Sequence, residues 1–173
     1  MVIKKLYIKD YFDPEKRNQF EKDLYEGLKE CGFIILKQHS VSTHLLDDAY
    51  TMSKKFFNQS NELKKKYISP IMPYQRGYVP YKIEKAKDAK AIDLKEFYQI
   101  GINHNLFPNE DFKRIFLKLY SELEDCSKII LRALTPNLKL NNDYFDNILK
   151  RGNHILRLLH YPPINKNEPF CNR

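Results

Sequence analysis

The apolar positions of this chain change rhythm several times along its length. Between residues 13 and 32, Phe20, Leu24, Leu28 and Cys31 recur at helical spacing. Asp13 stands where an N-cap belongs, Pro14 at the first helical position, and Gly32 where a helix ends. The pattern predicts one helix with Cys31 in its core face. "FIILKQ" then reads as a short apolar strand. A second helix begins near Ser42 and buries Leu45, Leu46, Ala49, Met52, Phe56 and Phe57. "NELKKKYISPIMPYQRGYVPY" carries prolines 70, 73 and 80 and Gly77, which predicts a loop with at most short extended pieces. "AIDLKEFYQIG" reads as a strand closed by Gly101.

The longest periodic stretch follows Asn109. Phe112, Phe116, Leu119, Leu123, Cys126, Ile130 and Ala133 alternate steps of four and three, until Pro136 is expected to stop the helix. A stripe of about three heptads raises a coiled-coil dimer as an alternative, but its aromatic residues favour packing on a sheet. "NNDYFDNILKR" predicts a shorter helix, and "HILRLLHYPP", His154 to Pro163, a strand halted by two prolines. The predicted order is α-β-α-loop-β-α-α-β, an α+β chain.

Composition narrows the class. A chain of 173 residues, 42% hydrophobic with eleven Phe and twelve Tyr, has enough apolar surface for a real core. The net charge of +8 comes from lysines spread among 22 acidic residues, which reads as solvated helix faces rather than a nucleic-acid surface. No window is apolar enough for a membrane span, and the opening "MVIKKLYIKDYFDPEKR" has no leader-like apolar run. Cys31, Cys126 and Cys171 form no C-x-x-C pair and no even disulfide set, so a reducing cytoplasm is expected.

Candidate chemistry is sparse. His39, His44, His104, His154 and His160 invite a metal reading. His154 and His160 share a strand face but would lie roughly 20 Å apart, beyond the reach of one ion. His44 and Asp48 sit side by side on a helix, yet two groups leave an iron or zinc site short of a ligand. The sequence contains no H-x-D, no H-E-x-x-H, no phosphate-binding glycine motif and no G-x-S-x-G. No catalytic residue and no metal ligand is assigned from spacing.

Several segments in order nonetheless carry a family pattern. These are Gly32–Phe33, Gln38–His39–Ser40, Phe56–Phe57, Glu62–Leu63–Lys64, "QRGYVP" (75–80), "DLKEFYQIG" (93–101) and "LRLLHYPP" (156–163). Together they resemble the N-terminal portion of the isopenicillin N synthase-like Fe(II)/2-oxoglutarate-dependent oxygenases. The resemblance implies an N-terminal non-haem dioxygenase region over 1–150. It also implies the first strands of a double-stranded β-helix, a cupin-like jelly roll, over 151–173. In that family "YPP" is followed by the H-x-D strand, a distal histidine and an R-x-S that holds 2-oxoglutarate; all of these would lie beyond Arg173.

The resemblance also implies site roles. Tyr161 matches a strand tyrosine that faces the co-substrate pocket, with Leu159 and Arg157 on its face; many relatives carry Asn where Leu159 stands. Arg76 and Tyr78 match an element at the substrate entrance, and an exposed loop arginine is the plainer reading of Arg76. His39 matches a structural turn, and Ser40 in place of its glycine implies that residue 40 avoids a positive φ. Lys95 and Glu96 read as packing and surface groups. The implied enzyme is an oxidoreductase that uses Fe(II) and 2-oxoglutarate on a small molecule, with neither cofactor held by this chain alone. The expectation is therefore a fragment inactive by itself. It would be completed by a second polypeptide, or would act as a scaffold through helix 112–133.

Overall fold

In a computed structural model the chain is described over residues 2–85 and 92–164, so Cys171 lies outside the described residues. The elements run β1 (Lys4–Tyr7), α1 (Lys9–Phe12), α2 (Arg17–Cys31), β2 (Ile34–Lys37), α3 (Thr43–Phe57) and α4 (Asn61–Lys65). They continue β3 (Gly77–Val79), β4 (Glu96–Ile100), α5 (Glu110–Leu138), α6 (Tyr144–Arg151) and β5 (Leu156–His160). Two packing units divide them, Met1–Thr43 with Ser121–Gly152 and His44–Tyr120 with Asn153–Arg173.

In the first unit β1 pairs in parallel with β2, Lys4 opposite Ile34. A parallel pair needs a crossover, and α2 supplies it. Leu6, Tyr11, Phe20, Leu24 and Ala133 form the core, with Leu28, Ile34, Leu36, Ile129 and Ile130 against it. Gly32 ends α2 as expected, with φ 73° and its N–H on the Leu28 carbonyl. The start differs. Asp13 caps a separate turn, accepting from the Glu15 N–H at 3.0 Å, and the helix proper begins one turn later at Arg17. Cys31 is half-buried rather than core: it shares the face of Phe20 and Leu24, but it is the last residue of α2, where that row runs out at Gly32. In the Gln38–His39–Ser40 segment the positive φ falls on Gln38, at 56°, and not on Ser40.

Pro136 does not stop α5, which continues to Leu138. Proline leaves the carbonyl four residues back, that of Arg132, without its helical donor. The Thr135 hydroxyl donates to that carbonyl at 2.8 Å, so the turn survives. The helix ends instead at Lys139, φ 56°, where the Leu140 N–H reaches back to the Thr135 carbonyl. The periodic stripe is used inside the chain. Phe112, Phe116 and Leu119 are buried in the second unit, and Cys126 and Ala133 in the first. Leu123 and Ile130, the other two positions of the stripe, are partly buried.

The second unit is an antiparallel sheet, β3-β4-β5, with helices on one face. Tyr78 pairs with Tyr98 and Tyr98 with Leu158; Val79 pairs with Phe97 and Phe97 with Leu159. Alternation therefore places Tyr78, Glu96, Tyr98, Ile100, Leu158 and His160 on one face. Phe56 of α3 packs there, its ring 5.7 Å from Tyr78, 5.0 Å from Tyr98 and 5.8 Å from Phe112 of α5. The opposite face carries Val79, Phe97, Gln99, Arg157 and Leu159.

Candidate functional site

The helix-side face of this sheet holds a buried charged cluster. Glu96 lies near one end of β4, on the parity of Tyr98 and Ile100, so the strand delivers its carboxylate inward. Lys64 of α4 approaches both carboxylate oxygens, at 3.0 and 2.8 Å, and also donates to the Phe57 carbonyl at 3.2 Å. The Tyr78 hydroxyl donates to the same carboxylate. His160 Nδ1 lies 2.8 Å from Glu96 Oε1, and its ring stacks on Phe57 with centroids 5.0 Å apart.

Burial works to raise the Glu96 pKa, but the bonds from Lys64, Tyr78 and His160 outweigh it and hold the carboxyl below its ordinary range. An ionised carboxylate only accepts, so the shared proton belongs to His160 Nδ1. Burial, and then the bond to Glu96, push the Tyr78 phenol upward.

The other face has its own ionic set. Lys95 bridges Glu84 at 2.6 Å and Asp93 at 2.8 Å, while Arg157 meets Glu84 at 3.1 Å and Gln99 at 3.0 Å. The Arg157 guanidinium also sits 4.5 Å over the Phe97 ring. Beyond it the face opens. Leu159 is 51% and Tyr161 56% exposed, and β5 is the edge strand of its sheet among the described residues.

The three site residues expected from the pattern are not gathered in one place. Tyr161 follows the end of β5 and is exposed, whereas Tyr78 is buried on the inward face. Arg76 is not an exposed loop residue; it is 0% exposed. Its guanidinium donates to the carbonyls of Asn103 at 2.9 Å and Gln75 at 2.7 Å and to the Asn153 side chain. Space for it comes from Gly101, where a Cβ would stand 2.3 Å from the Arg76 Cζ. Gly77 is equally constrained, with φ +71° and a would-be Cβ 2.2 Å from the Tyr67 carbonyl oxygen.

Glu96 is likewise no surface group; His160 was weighed only as a metal ligand, and Lys64 only as part of a family segment. The available signal was parity. A glutamate two residues before a core tyrosine on the same strand face must be buried, and a buried carboxylate must have a cation.

Among the described residues no group of three or more His, Cys, Asp or Glu side chains is placed to hold a metal ion. His44 and Asp48 do pair, at 3.3 Å, on an exposed helix face. An iron site therefore does not fit the described residues. No helix among them is long and apolar enough to cross a membrane.

Comparison with known proteins bears on this sheet directly. Residues 4–117 match the family described as non-haem dioxygenase in morphine synthesis N-terminal. The chain belongs to the non-haem dioxygenase family. It is similar to the 2-oxoglutarate-dependent dioxygenase frbA of Dothideomycetidae sp. (27% identical, covering 87% of this chain and 51% of the relative). It is also similar to the proline hydroxylase buaE of Petromyces alliaceus, at 24%, 97% and 58%.

Among solved structures, a 2OG-Fe(II) oxygenase family protein of Caulobacter crescentus superposes with a TM-score of 0.80. That match has 32% identity over 96% of this chain and 58% of that one. A full-length Neurospora crassa protein crystallised in complex with alpha-KG superposes at 0.77, with 25% identity over 94% and 55%. The chain spans about half the length of the curated relatives it matches. It has the fold of the N-terminal half of these dioxygenases, including the first strands of their jelly roll.

Proposed function

We propose that this chain forms one wall of the active-site pocket of an Fe(II)/2-oxoglutarate dioxygenase acting on a small molecule. In this reading the iron ligands come from an H-x-D…H portion of the fold that this sequence does not contain. The observation that carries it is the state of β5. The strand runs into the "HYPP" of the family pattern and leaves Leu159 and the following Tyr161 exposed, beside an edge that no described strand covers.

Tyr161 is the residue we assign to contact with co-substrate or substrate. Tyr78 and Arg76 act from behind, Tyr78 on the carboxylate of Glu96 and Arg76 by tying β3 to the segments around Asn103 and Asn153. The family division at residue 150 is kept as the boundary between the N-terminal region and the catalytic jelly roll. Cys31 and Cys126 are free thiols, which supports a reducing compartment such as the cytoplasm.

The test is complementation. This chain is co-expressed with a polypeptide carrying the H-x-D…H…R-x-S segment of a related dioxygenase. The expected result is a stable complex that binds Fe(II) and decarboxylates 2-oxoglutarate, read as succinate formed. Absence of both complex and turnover rejects a split enzyme. In the assembled enzyme Tyr161→Ala is expected to raise the KM for 2-oxoglutarate about tenfold or more, the size of one lost pocket hydrogen bond.

A further inference from the structure

β5 is a strand whose two faces are almost equally apolar. Leu156, Leu158 and His160 turn inward and Arg157 and Leu159 outward, and Tyr161, the residue just past the strand, is 56% exposed. A shift of one residue would exchange these faces. In most half-buried strands hydrophobic patterning forbids such a shift, because it would expose the apolar set. Here two leucines would trade places with a leucine and a tyrosine, so burial discriminates weakly.

The polar partners discriminate strongly. In the observed pairing His160 stands opposite Glu96 and donates to it at 2.8 Å. On the other face Arg157 reaches Glu84 at 3.1 Å and Gln99 at 3.0 Å. A one-residue slip would set Leu159 or Tyr161 against Glu96, removing the histidine donor from a carboxylate that has little water to replace it. The same slip would turn the Arg157 guanidinium into the ring cluster around Phe56, away from Glu84. A buried charge without a partner is far costlier than a misplaced leucine.

We propose that His160, through its bond to Glu96, is the positioning residue that fixes the register of β5 and so presents Tyr161 on the open face, with Arg157 as its counterpart on the outer side. The Lys64–Glu96 pair is the fixed anchor, and His160 is the key that only one register of the strand can insert. This deepens the pocket-wall reading and rests on it for the meaning of Tyr161. Its test needs neither iron nor co-substrate, so either can fail while the other stands.

Two variants of this same chain separate packing from the hydrogen bond. His160→Phe keeps a ring on Phe57 and removes the donor. His160→Asn loses the ring but returns a donor near the position of Nδ1. Cross-strand amide contacts measured by NMR report which residue lies opposite Glu96. The wild type and H160N are expected to show one set, with residue 160 opposite Glu96. H160F is expected to show a second set displaced by one residue, or about tenfold or greater loss of amide protection along β5, the size expected for a lost charge-assisted bond.

A single unshifted set with unchanged protection in H160F would overturn the proposal. Should H160F not fold, the ring nitrogen shifts of wild-type His160 decide. A protonated Nδ1 supports the proposal, whereas a bare Nδ1 with the proton on Nε2 overturns it, since no bond to Glu96 could then be donated.

Discussion

Glu96 accepts from three side chains in a place where water contributes little, so its neighbours depend on its charge. Glu96→Gln keeps the shape of the side chain but strands Lys64 as a buried cation. The expected loss is about 3–5 kcal/mol in urea denaturation at neutral pH; a loss below about 0.5 kcal/mol would contradict the cluster's role. Its pH dependence has a definite sign. The folded-state pKa is lowered from 4.5, so the stabilisation is complete above that value and disappears as pH falls through the lower folded value. The stability gap between wild type and E96Q should therefore shrink on acidification below about pH 4.5 and stay level through neutrality. Gly101→Ala is expected to destabilise as well, since its methyl would meet the Arg76 guanidinium at about 2.3 Å; melting temperature reads this directly. At this scale the sequence was half legible. Strand parity could assign Glu96 to the inner face, but Lys64 lies 32 residues away, and no local pattern announces that pairing. The burial of Arg76 was hidden for the same reason, because its acceptors, Asn103 and Asn153, are remote in sequence.

Elements were legible where they were long or apolar. α3, α5 and β5 appear where periodicity placed them, and β4 as a shorter strand within its expected segment. The short elements β1, α1 and α4 were not read. β1 has four residues and exists through its parallel partner β2, which is information no local window contains. α4 was masked by the prolines that follow it, although Ser60 caps it by accepting from the Leu63 N–H at 3.4 Å. The passage of α5 through Pro136 depends on a single hydroxyl. Thr135→Val removes the donor to the Arg132 carbonyl while preserving shape and burial. The expected cost is about 1 kcal/mol, with faster amide exchange confined to residues 132–140; unchanged exchange there would show that the helix tolerates the proline unaided.

For the whole molecule the open side of β5 governs behaviour in solution. Half-exposed Leu159 and Tyr161, beside a strand edge unpaired among the described residues, favour association between copies. Sedimentation should therefore show concentration-dependent self-association, which Leu159→Lys reduces without changing the circular dichroism spectrum; equal association in the variant would locate the contact elsewhere. The family pattern made the fold class readable over most of the chain because its motifs occur in order, while the charged cluster behind β5 needed three-dimensional neighbours to be seen. The tie from Arg76 to Asn153 spans 77 positions. During synthesis the guanidinium is made long before its last acceptor, and at ordinary elongation rates the wait is roughly 4–15 s. The second unit thus cannot close as it emerges from the ribosome. It must persist as an incomplete sheet until β5 arrives, which gives chaperones reason to hold the nascent chain.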